Sequence, residues 1–162
     1  MRFHHPHGKV PSVRDAVVGS PDGVILQFGG NDLAALKGHT DRVGTVVGKL
    51  SRFVVGIRER CPRIRLVVIC SILPRHVVND VEFSRDAMAV NELMRRRFSG
   101  NSAVVFSPHD RGTWALFLDR DGVHLQECRG RGLRHTDACT GMFKYLKSLR
   151  GKVCLVRRTV NR

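Results

Sequence analysis

Apolar residues along this chain follow two alternating patterns. Three short runs, at residues 24–29, 66–73 and 103–107, are rich in β-branched side chains and bounded by loop formers, the pattern of buried parallel strands. Between the first two, Val43, Val46, Val47, Leu50, Phe53, Val54 and Ile57 recur at helical spacing, with Thr40 or Asp41 placed to cap the start and Pro62 beyond the end. A second stripe, Ala87, Val90, Leu93, Met94 and Phe98, predicts a helix starting near Ser84 as its N-cap. That helix closes on Arg95-Arg96-Arg97, where cations suit the negative end of the helix dipole. A third stripe over residues 136–150 aligns Ala138, Met142, Leu146 and Leu149, with Gly151 expected to stop it. The resulting β-α-β-α-β-α order predicts a layered α/β fold with right-handed crossovers.

Composition changes this picture little. The 162 residues suffice for one sizeable core, and 42% hydrophobic content excludes a wholly disordered chain. We assign residues 1–150 to one domain and 151–162 to a basic tail, with no internal repeat between them. No stretch approaches the roughly 18 apolar residues that cross a bilayer. The opening "MRFHHPHGK" lacks the apolar centre of a signal peptide, so an intracellular location is expected. Cys61, Cys70, Cys128, Cys139 and Cys154 are odd in number and lack a C-x-x-C pair. Free thiols are therefore expected rather than a disulfide framework or a zinc site.

Charge adds a second theme. The formal net charge is +14, and residues 125–162 hold ten Lys or Arg against Glu127 and Asp137, a balance of +8. Such a region attracts polyanions by steering and counterion release, which makes nucleic acid a candidate partner. The alternative is a solvated, solubilising surface. Trp114 and Tyr145 are the only Trp and Tyr, and the phenylalanines read mostly as core, which leaves few stacking platforms.

The chemistry concentrates in two segments. Gly29-Gly30-Asn31-Asp32 directly follows the first apolar run, and Asp121-Gly122-Val123-His124-Leu125 answers it downstream. An Asn on a glycine turn at a strand end can donate to an oxyanion, while an Asp-x-x-His pair can hold and use an imidazole as general base. The alternative is a simple turn with Asn and Asp capping backbone amides. A nucleophilic Ser is not identifiable. Ten residues separate Ser20 from Asn31, short of the dozen or so that a parallel crossover needs, and Ser71 lies inside an apolar run with no glycine turn to expose it.

Taken together, "VILQFGGNDL" (24–33), "LVVICSILPR" (66–75), "AVNELMRRRF" (89–98) and "DRDGVHLQECRGRGL" (119–133) resemble, in order and spacing, the conserved blocks of the SGNH hydrolases, the GDSL-type esterase/lipase family. The short Leu-Pro-Arg and Asp-Gly-Val-His-Leu segments look like the esterase-like domains found in some animal retroelements. The resemblance covers roughly residues 8–149. It implies a three-layer α/β/α fold with a flavodoxin-like parallel sheet lacking its first strands, and an acyl-ester substrate.

By the same resemblance His124 is the base, Asp121 its orienter, and Asn31 with the Gly8 amide the oxyanion hole. The family's Gly-Asp-Ser nucleophile has no counterpart among the 162 residues. The expectation is therefore a catalytically impaired esterase-like domain, or a polyanion-binding module on the same fold. No cofactor is implied. Asp119 and Asp121 lack a glycine at the position a calcium loop requires, and His4, His5 and His7 are a weak metal tract for which a frayed terminus is the simpler reading.

Overall fold

β1 (Gly23–Leu26), β2 (Leu66–Cys70) and β3 (Val104–Ser107) run parallel in the spatial order β1-β2-β3. The structure, a computed structural model, describes residues 22–75, 80–108, 150, 151 and 154. Helices α1 (Gly30–Ala35) and α2 (Arg42–Arg60) connect β1 to β2, and α3 (Phe83–Arg97) connects β2 to β3. The predicted α/β class and the three parallel strands are thus present.

Register explains why the strands bury one face. Val24, Val67 and Val104 are in line across the sheet, as are Leu26, Ile69 and Phe106. With period-two alternation these six point to one side, where they meet Val46, Leu50, Val54 and Ile57 of α2 and Phe83, Ala87, Val90 and Met94 of α3. Both crossovers step the same way across the sheet, and connections of one hand then place both helices on the same face. On the other face, Ile25 and Val105 flank buried Val68 and are each 38% exposed. Among the described residues no helix covers that face, and no strand pairs with the free side of β1.

Local chemistry sets the boundaries. Asp41 caps α2 by accepting from the Gly44 N–H at 3.0 Å, one of the two caps expected. At the far end of α3, Glu92 accepts from Arg95 and Arg96, which hold its carboxyl down to about 2. Part of the Arg95-Arg96-Arg97 run is therefore spent on an ion pair within the helix.

Several expectations are corrected. Strands β1 and β2 end at Leu26 and Cys70 rather than at 29 and 73, because Gly29 turns the chain at φ 97° and the backbone of Ile72 bonds to a side chain instead of a strand. The Gly-Gly-Asn turn runs straight into α1, a helix that the apolar pattern did not reveal. Phe53 and Leu93, expected to face inward, are 43% and 42% exposed. Each lies on the flank of a narrower buried stripe, and Phe53 packs edge-on to Phe28 at 5.4 Å. Ser84 is not the N-cap of α3. Glu82 occupies that position, and Ser84 sits in the first turn donating to the Arg75 carbonyl. Gly151 does not stop a helix, since it is helical without positive φ, and a glycine stop requires the left-handed conformation. The rest of the third predicted helix and of the basic tail lies outside the described residues.

Candidate functional site

The carboxyl ends of β1 and β2 open onto a cleft of about 330 Å³, lined by residues 27–32 together with Ile72, Leu73 and Arg75. Ligands of open α/β sheets bind at this rim. The β1 side is shaped by glycines. Gly29 adopts φ 97°, and a Cβ there would stand 3.0 Å from Leu50 Cδ1 and 3.1 Å from Ile72 Cδ1. Its carbonyl accepts from Leu33 N–H at 2.9 Å, which starts α1 and carries exposed Asn31 to the cleft.

The β2 side is held by polar clamps. The Asn91 amide grips the Ile72 backbone, accepting from its N–H at 2.7 Å and donating to its carbonyl at 3.0 Å. Gln27 Nε2 donates to the Ser71 carbonyl at 3.2 Å, and Ser84 Oγ donates to the Arg75 carbonyl at 3.0 Å. The loop leaving β2 is thereby tied to both β1 and α3.

Across the cleft, Arg75 Nη2 donates to Asn31 Oδ1 at 2.9 Å. Arginine has only donors, so the Asn31 amide must turn its oxygen to Arg75. Its Nδ2 has no partner among the described residues and remains available as a neutral donor. The Arg75 guanidinium also stands 5.2 Å from the Phe83 ring centroid, a cation–π contact. No carboxylate pairs with it among the described residues, and burial without that partner pulls Arg75 below the usual guanidinium value.

A buried ion network gathers at the starts of α2 and α3. Arg42, Asp80 and Asp86 are 5%, 7% and 8% exposed. Arg42 forks onto Asp80 at 2.9 and 3.2 Å and reaches Asp86 through Nε, while Arg85 Nε meets the other Asp86 oxygen at 3.0 Å. The hydrogen bonds from Arg42 hold the Asp80 carboxyl below its ordinary value. For Asp86 burial pushes upward, but Arg42 and Arg85 together outweigh it and the net direction is down. The network joins the start of α2 to the start of α3 beside Phe83 and so fixes the surface on which Arg75 rests.

Of the residues expected to form a site, Asn31 lines the cleft. Gly8, Asp121 and His124 lie outside the described residues, as does Ser20. Ser71 is buried, its N–H donating to the Ser107 carbonyl at 3.1 Å. Cys61, Cys70 and Cys154 are free thiols, and the described residues hold no metal-ligating cluster and no helix long and apolar enough to cross a membrane.

Arg75, Asn91 and Arg42 were missed as functional or supporting residues. Two signals existed. Arg42 sits in the first turn of a helix, against the dipole, and Asn91 is a polar residue beside the inward stripe of α3. Arg75 closes the Leu-Pro-Arg segment that carried part of the family resemblance, but nothing in that segment marked its side chain as a cleft residue. No model of a known protein family matches the chain, and no curated protein matches it.

Proposed function

We propose that the chain is an SGNH-hydrolase-like, GDSL-type esterase domain whose cleft binds an acyl ester. The observation that carries this reading is Asn31, displayed on the Gly29-Gly30 turn at the end of β1 with its oxygen held by Arg75 and its Nδ2 unengaged. A donor preset in that orientation suits the charge that develops on a carbonyl oxygen under attack, because it needs no reorganisation as the charge appears. In this reading the Gly8 amide is the second donor, His124 moves the proton and Asp121 orients its ring. The parallel sheet beneath the cleft is compatible with the family's three-layer fold.

With no Gly-Asp-Ser among the 162 residues, His124 has no hydroxyl to activate, and the chain alone is catalytically impaired. Purified chain should hydrolyse a short p-nitrophenyl ester no faster than its His124→Ala variant. The site itself is tested with a short alkyl boronate, whose hydroxide adduct mimics the tetrahedral oxyanion. NMR should show it perturbing both the Asn31 side-chain amide and the His124 ring; a perturbation of Asn31 that leaves His124 untouched removes the hydrolase reading.

A second reading rests on charge. The +8 balance of residues 125–162 supports a polyanion-binding module on the same fold, in which Arg and Lys neutralise phosphates without reading sequence.

A further inference from the structure

We propose that the cleft contains an oxyanion subsite in which Arg75 grips the carboxylate or phosphate group of a small ligand. In the hydrolase reading, on which this substrate assignment rests, the preferred substrate is therefore an ester that also carries an acidic group.

The contrast with Arg42, the one other described arginine that is not exposed, shows why Arg75 stands apart. Arg42 is satisfied by Asp80 and Asp86, Arg85 by Glu82 and Asp86, and Arg95 and Arg96 by Glu92. Arg75 is half-buried on the wall of a cavity, yet no acid meets it among the described residues. Asp32, the one carboxylate among the lining residues, faces Lys49 Nζ at 4.0 Å instead. A guanidinium partly removed from water without a countercharge is a standing penalty that an incoming anion relieves.

Its surroundings hold it as a fixed receptor. Phe83 lies 5.2 Å from the guanidinium carbon, Asn31 takes one hydrogen of Nη2, and Ser84 anchors the Arg75 carbonyl. Gly30 is necessary for that position, since a Cβ there would come within 2.8 Å of Nη2. The remaining guanidinium donors have no partner among the described residues, and their planar fork fits two oxygens of a carboxylate or phosphate. A volume of about 330 Å³ suits a small molecule. Both the free Nδ2 of Asn31 and the guanidinium border it, so a single ligand can meet a neutral donor at one group and a cation at the next.

The experiment titrates the full chain with inorganic phosphate and, separately, with succinate, following the backbone amides of Gly29 and Gly30 and the Arg75 Nε signal by NMR. Saturable shifts with at least one anion are expected, and the tighter of the two identifies the head group. Arg75→Gln should weaken that binding by about tenfold or more, the loss expected for a charged hydrogen-bonded contact. Gly30→Ala, which displaces the guanidinium while keeping its charge, should weaken it as well. If Arg75→Gln does not fold, the Gly30→Ala titration decides. Absence of saturable shifts with both anions, or undiminished binding in a folded variant, overturns the subsite. Because binding is read without turnover, a chain that fails to bind the boronate at Asn31 and His124 yet still binds anions through Arg75 sinks the hydrolase reading alone. Boronate binding at Asn31 and His124 with no anion dependence on Arg75 sinks the subsite alone.

Discussion

Asn91 and Ile72 are joined by a reciprocal pair of hydrogen bonds, at 2.7 Å into the Asn91 carbonyl oxygen and 3.0 Å out of its amide nitrogen. The side chain does for Ile72 what a neighbouring strand would have done, and β2 ends there without leaving its backbone unpaired. Asn91→Ala removes both bonds and should lower stability by about 2 kcal/mol, read as a drop in urea midpoint at constant m. Asn91→Asp keeps the acceptor but not the donor and should fall between the two. A neutral result for Asn91→Ala would show that the exit of β2 is held by other contacts.

Acid should weaken the fold through Asp80 and Asp86. Both carboxyls are held below the ordinary Asp value by arginine, so below about pH 3.9 the unfolded chain binds protons that the folded chain does not. Stability is then fully present above that pH and is lost as pH falls through the depressed folded values. Thermal melts across the acid range should show the loss. Asp80→Asn should flatten it, whereas an unchanged acid limb would assign it to other groups.

Removing Arg42 is the harsher change, because it leaves two carboxylates buried without their shared cation. Arg42→Met should destabilise by about 3 kcal/mol, the low end for a broken buried pair. The low end applies because Arg42 and Asp86 also border a polar cleft formed with residues 38–43. A loss below about 1 kcal/mol, the range of surface pairs, would mean that water reaches the network.

The adjacent glycines should respond differently to alanine. Gly29→Ala forces a side chain into φ 97° and against Leu50 and Ile72, which should cost about 1–3 kcal/mol of stability. Gly30→Ala meets only the far end of Arg75, a flexible side chain that can move aside. Its melting temperature should stay close to that of the parent while the cleft changes. Equal destabilisation by both would mean that the turn rather than Arg75 constrains residue 30.

Ser107 is 5% exposed, and its hydroxyl has no hydrogen-bond partner among the described residues. An unpartnered buried hydroxyl opposes folding, so Ser107→Ala should be neutral or stabilising by up to about 1 kcal/mol. A clear loss in denaturant midpoint would reveal a partner for that oxygen.

The polyanion reading makes a salt prediction. If several of Arg129, Arg131, Arg134, Lys144, Lys147, Arg150, Lys152, Arg157 and Arg158 neutralise phosphates together, affinity for single-stranded RNA should fall with salt at a log-log slope of roughly −0.7 per phosphate. Removing residues 151–162 should make that slope shallower. Binding undetectable at low salt would leave the charge as a solubility feature.

The sequence by itself determined the parallel strands, the two long helices and the place of Asn31, since each rests on local signals. Strands and helices were written in apolar periodicity, the start of α2 in Asp41, and the rim turn in two consecutive glycines before an Asn. Only the tertiary structure decided the wall of the cleft. Arg75 meets Asn31 across 44 positions, Arg42 meets Asp80 across 38, and Asn91 meets Ile72 across 19. These partners are brought together by the crossovers, and no local window contains both members of a pair. The short strand ends and the exposure of Phe53 and Leu93 follow from the same cause. A side chain's burial depends on which neighbour reaches it, and that is settled when α2 and α3 dock on one face of the sheet.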